Sequence, residues 1–215
     1  MRFLNRLTIA GVIGLIAAVV FFSSSVRNMV SMSKPAVDLY ETTDWSELKK
    51  GTHVKTNVDF VYDYFYYNYD EDSNKETSRA YMIPNLVQNA DGIYIQEYIG
   101  VMVNAKDGFA PYDAAVNRSI AWWTDTTDQV AFPEPTIELD GYLRKMKNDE
   151  KDFLVEYIAG DWGMSEDEAE QYICPYMIMP YEKSDGIGGM IGAGALFLLG
   201  IVLSGAGVFV GFRRG

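Results

Sequence analysis

The sequence predicts an α+β fold: an OB-like five-stranded barrel, or a related open sheet, flanked by two transmembrane helices. Three observations carry this reading. Two segments, Leu7–Val26 and Gly186–Phe212, contain no charged residue. Between them, apolar and polar residues alternate with period two from His53 to Tyr66, the signature of a strand with one buried face. Shorter strand patterns follow, with a helical pattern after the third.

Residues 1–27 form the first span. A bilayer core takes roughly 20 mostly apolar residues as a helix, and helix is the form in which one segment pairs its own backbone groups in lipid. Arg2 and Arg6 precede this span, and Arg213 and Arg214 follow the second. Positive residues stay cytoplasmic, so both termini are expected in the cytoplasm, with Arg27 and Lys34 opposing that signal. The rival for the first span is a cleavable signal peptide, but its exit, "FFSSSVRN", lacks an A-x-A site. An uncleaved anchor is the preferred reading.

Residues 28–50 read as a membrane-proximal lead. Pro35 breaks any long helix there, and "DWSEL" suits one short turn. The exported domain, residues 51–183, opens on the alternating run. Val54, Val58, Phe60, Tyr62 and Tyr64 share one parity and are expected inside. The alternation fails near the end, as at a bend in a barrel strand, leaving Tyr67 and Tyr69 exposed. "DEDSNKETS" is a turn, and "TSRAYMIPNLV" a second strand stopped near Pro84. "NADG", residues 89–92, carries an Asp-Gly turn signal. "IYIQEYIGVMVN" is a third strand, kinked at Gly100. Pro111 opens a helix with Val116, Ile120 and Trp123 on one stripe. "PTIELDGYLRKM" is a fourth strand. A second helix carries Phe153, Leu154, Tyr157 and Ile158 and ends at Gly160. Ser165 and Glu168 then form a capping box. "YMIMPYE" is a short last strand before residues 184–215, the second span and its basic tail. An OB barrel has its helix between strands three and four.

All 30 acidic residues fall between the spans. Only 13 of the 18 basic ones do, since Arg2, Arg6, Arg27, Arg213 and Arg214 lie outside, so this segment carries about −17. Such a domain is repelled by phosphate backbones and anionic headgroups. Nucleic acid is therefore not an expected partner. A solvated acidic surface is the plain reading, and a cationic partner or divalent cations the pointed one.

Cys174 is the only cysteine and His53 the only histidine. An internal disulfide is impossible, and Cys174 reads as a small buried residue, with a bridge between two copies as the alternative. One His and one Cys do not make a zinc site. His53, on the polar parity, reads as exposed or hydrogen-bonded. Asp70, Asp72 and Asn74 match the first half of a calcium loop. Lys75 then stands where Gly is needed and Tyr81 where a bidentate Glu is needed, so a solvated hairpin turn is preferred. Asn117-Arg118-Ser119 is a glycosylation triplet inside a predicted helix. No cofactor motif is present, and no catalytic residue is assigned, though thirty acids allow a carboxylate pair.

The spans carry small residues at four-residue spacing: Gly188 and Gly192, Gly200 and Ser204, Gly207 and Gly211, and in the first span Ala10, Gly14 and Ala18. Such pairs let helix backbones approach closely. The spans are expected to pack against each other, a second copy or a larger membrane partner.

"DWSELKKGTHVKTNVDFVYDYF", "YMIP" and "TIELDGYLRKM", between two spans, resemble an uncharacterised family of small two-span membrane proteins of Gram-positive bacteria, a domain of unknown function. The landmarks are Trp45, Leu48, Gly51, Val54, Tyr81, Pro84 and Gly141. They are structural residue types, so the resemblance implies no activity and transfers no site. The expected function is a membrane-anchored extracytoplasmic binding or accessory module. A cell-surface enzyme with an unrecognised carboxylate site and a structural envelope protein are the alternatives.

Overall fold

The alternating run from His53 does not make one strand. In the computed structural model, which describes residues 6–42, 44–90 and 92–213, it makes two. These are β1 (His53–Val58) and β2 (Asp63–Asp70), and they lie at opposite edges of one sheet. The other strands are β3 (Lys75–Asn89), β4 (Gly92–Asn104), β5 (Ile137–Lys145) and β6 (Ile173–Pro180). The order is β1-β5-β6-β4-β3-β2. Every neighbouring pair is antiparallel except β4 and β6, which are parallel.

This corrects the OB-like barrel: the sheet is open, mixed and six-stranded. The physical reason lies at Asp59–Tyr62. Phe60 and Val61 are both buried, yet residues 59–62 belong to no strand. The chain leaves one edge there and enters the other. Five strand spacings of about 4.8 Å span about 24 Å, whereas five residues reach at most about 17 Å. The sheet must therefore curl to bring its edges together, although no ladder closes it. The link is held at both ends: Thr136 N donates to Val58 O (3.1 Å) and Tyr62 N to Met82 O (2.9 Å).

Burial on both faces explains why β3, β4 and β6 read as nearly continuous apolar runs. One face packs Tyr81, Ile83, Ile99, Val101 and Ile178 against α2 (Ala110–Trp123) and against Leu39, Trp45 and Leu48. Residues read as a membrane-proximal lead thus supply core; Trp45 is fully buried and its indole N–H donates to Leu39 O (3.0 Å). The opposite face packs Ala80, Met82, Tyr98 and Met177 against α3 (Asn148–Trp162) and α4 (Glu166–Ala169).

Several local expectations shift. β3 continues through Pro84, which pairs with Tyr98, and its irregularity falls at Asn85/Leu86. The buried stripe of α2 is Tyr112, Ala115, Val116 and Ser119, whereas Ile120 and Trp123 are partly exposed. α3 runs through Gly160 and ends at Gly163, whose φ of 64° is the left-handed cap. The capping box is present: Ser165 Oγ accepts from Glu168 N (3.3 Å), and Glu168 Oε2 from Ser165 N (3.0 Å). Within the aromatic run Phe60 and Phe65 are buried, Tyr62 is half-buried, and Tyr64, Tyr67 and Tyr69 are exposed. Tyr64 is thus the exception to the expected inward parity.

The second compact unit comprises the two terminal helices, α1 (Arg6–Met32) and α5 (Lys183–Arg213). Each is long and apolar enough to cross a membrane. Gly11 lies against Ser204 and Gly200, and Gly189 against Ser25, so the pair is antiparallel. A Cβ on Gly11 would come within 2.3 Å of Ser204 Oγ, and one on Gly200 within 2.9 Å of Gly11 O. Small or hydroxylic positions that are buried or half-buried recur every seven residues: Gly11, Ala18 and Ser25 on α1, and Gly186, Ala193, Gly200 and Gly207 on α5. That period belongs to left-handed, shallow crossings. A Cβ on Gly14 would make ordinary contact with Gly200 Cα at 3.6 Å, whereas Gly188 and Gly192 have open space beside them and Ala10 is exposed. Arg2, Arg214 and Asp91 of the 89–92 turn lie outside the described residues.

Candidate functional site

Three elements bring chemistry together. Tyr62 and Asp63 stand where the crossing link enters β2. Tyr157 and Asp161 are four residues apart on α3, hence on one face. The end of α2 contributes Ile120, Trp123 and Thr124. With Phe60 and Ser119 these line a cleft of about 240 Å³.

Its polar geometry is reciprocal. Tyr157 Oη donates to Asp63 Oδ2 (2.6 Å) and Tyr62 Oη to Asp161 Oδ2. Asp63 Oδ1 also accepts from Tyr64 N (2.7 Å). Burial, and then the neighbouring carboxylate, raise both phenols above their usual range. They stay protonated donors. The cleft's hydroxyls are engaged with backbone: Ser119 Oγ accepts from Val61 N (3.1 Å), and Thr124 Oγ1 donates to Ile120 O (2.7 Å). No Lys, Arg or His is among the lining residues.

The walls are aromatic. Phe60 meets Trp122 and Trp123 edge-on, at 5.8 and 6.1 Å between centroids, and stacks on Phe132 at 6.1 Å. Tyr62 meets Tyr98 edge-on at 5.5 Å. Beyond Trp123 lies a second cavity of about 580 Å³, lined mainly by apolar and aromatic groups including Ile95, Tyr98, Ile158 and Trp162.

The residues singled out in the sequence lie elsewhere. Asp70 Oδ1 accepts from Asp72 N (2.9 Å) and Ser73 N (3.3 Å). These amides hold its carboxyl below the usual range. Asn74 adopts φ 50° in the same hairpin turn. Among the described residues no group of three or more His, Cys, Asp or Glu is placed to hold a metal ion. The glycines of the two terminal helices belong to the other unit. His53 is hydrogen-bonded at both ring nitrogens, to Lys34 O (2.9 Å) and Asp140 Oδ1 (2.8 Å). Cys174 is buried, which pushes its thiol up to about 12, so it is no nucleophile near neutral pH. Asn117 is exposed on α2, while Ser119 of its triplet is buried.

Sequence reading misses the cleft because Tyr62–Asp161 and Asp63–Tyr157 are pairs far apart in the chain. The one local link, Tyr157 and Asp161 on one face of α3, was hidden because the sequence reading ends that helix at Gly160.

A family model described as "Domain of unknown function (DUF8577)" matches residues 1–206. The chain belongs to this family. The DUF8577 match runs from the first apolar helix through the sheet and into the second. No curated protein and no solved structure matches the chain.

Proposed function

We propose that this protein is a membrane-anchored binding module whose sheet domain receives an organic cation in the cleft between β2, α2 and α3. α1 and α5 are its two spans, both termini are cytoplasmic, and residues 34–181 lie outside. The observation that carries the binding reading is the pairing of two carboxylates with aromatic walls and no basic lining residue. An ammonium group is attracted both by aromatic faces and by carboxylates. Each carboxylate is aimed by a phenol, so the acceptors are set before a ligand arrives. The domain's net negative charge steers cations toward it.

Two carboxylates on one cleft also support a second reading, a surface enzyme acting through Asp63 and Asp161. Against it stands the phenol that donates to each carboxylate and engages the group that would act as base or nucleophile.

The test is titration of the full chain in nanodiscs with tetramethylammonium, followed by tryptophan fluorescence, against sodium at matched ionic strength. A saturable response to the organic cation, weakened at least tenfold by Asp161→Asn, is expected. A response equal to that of sodium would overturn the reading.

A further inference from the structure

The aromatic wall behind the cleft contains an anomaly. Tyr98 is 1% exposed, and its hydroxyl has no hydrogen-bond partner. A buried phenol without a partner is costly. Its ring lies edge-on to Tyr62, and its hydroxyl neighbours Tyr62, Trp162, Asp161 and Tyr157. Tyr98 thus stands between the cleft's Tyr62 and the second cavity's Trp162. On its other side Tyr98 walls the 580 Å³ cavity, and Trp123 lines both spaces.

The larger cavity differs in chemistry. It is lined mainly by Ile93, Ile95, Ile158, Trp162, Met164 and Tyr172, and several of these are exposed: Trp162 by 44%, Tyr172 and Ile93 by 39% each. Its size is ordinary for a small-ligand site, where apolar walls and a few polar groups act together. A carboxylate cleft beside an apolar cavity matches a ligand with a charged head and an apolar body.

We infer that cleft and cavity form one bipartite site for a small amphipathic amine. The ammonium sits among Tyr62, Asp63, Tyr157 and Asp161, and an aryl group crosses Trp123 into the cavity. This rests on the cation reading given above and adds the ligand's second half.

The experiment compares methylammonium, phenethylammonium and uncharged phenylethanol on the full chain in nanodiscs, by calorimetry. Phenethylammonium is expected to bind at least tenfold more tightly than either of the others. Tyr172→Ala should shrink its advantage over methylammonium, and Asp161→Asn its advantage over phenylethanol. Equal affinity for the two amines, with binding still lost in Asp161→Asn, would overturn the bipartite site and leave the cation cleft standing. Binding of neither amine would overturn both. The wild-type ligand series decides even where a variant fails to fold.

Discussion

Glu97 shows how a single buried charge is tolerated. It is 8% exposed, and its Oε1 accepts from Trp45 N (2.8 Å) and Asn85 Nδ2 (3.3 Å). Burial raises its carboxyl above the ordinary 4.5, and the two donors only partly offset this. A carboxyl raised on folding binds its proton more tightly in the native state. Its contribution to stability is therefore full below the unfolded value and is lost as pH rises through the folded one. Glu97→Gln keeps the acceptor and removes the charge. Its stability should match or exceed wild type at neutral pH, with a shallower decline above pH 4.5. Glu97→Ala strands two buried donors and should cost about 1–3 kcal/mol or more. Urea unfolding of the full chain across pH 4.5–8 checks this. An unchanged pH slope in Glu97→Gln would remove Glu97 as the source.

The same residue scale separates legible aromatics from illegible ones. Tyr67 and Tyr69 read as exposed and are exposed. Tyr64 read as inward and is exposed, because β2 is an edge strand and Tyr64, opposite Tyr81, is covered on one side only.

At the scale of elements, close approach of strands decides what a small residue is for. A Cβ on Gly141 of β5 would come within 2.5 Å of Met179 O on β6, which is backbone and cannot yield. A Cβ on Gly100 of β4 would meet Met177 Cε at 3.2 Å, the free end of a flexible side chain. Gly141→Ala should therefore destabilise the domain by about 1–3 kcal/mol, and Gly100→Ala by clearly less. Denaturant unfolding followed by tryptophan fluorescence compares the two, and equal costs would sink the argument. Both glycines stand out in the sequence, one as a landmark and one as a kink. Nothing local says which of them faces backbone. The terminal helices teach a related lesson: among the four-residue pairs, Gly200 and Ser204 both lie against Gly11, whereas Gly188 and Gly192 have open space beside them.

For the whole molecule, the proposed topology makes a direct demand. Protease added to intact cells should cut between residues 34 and 181 and spare tags at both termini. A terminal tag digested from outside would refute the two-span arrangement. The arrangement draws on two helices of sufficient length and apolarity and on the arginines that flank them. Those are composition signals, and composition survives any folding.

Apolar length, charge distribution, most strand and helix positions and the Ser165 cap are properties of short stretches of chain. Hydropathy and periodicity therefore determined them directly from the sequence. The split of one alternating run into strands at opposite edges was decided only by tertiary structure, because strand pairing is a long-range choice: β1 goes to β5 and β2 to β3. The cleft follows from that choice. Tyr62 and Asp63 reach Asp161 and Tyr157 only because the crossing link carries them to the edge beside α3. Period and propensity measure what a residue buries, and they are blind to which distant residue it is buried against.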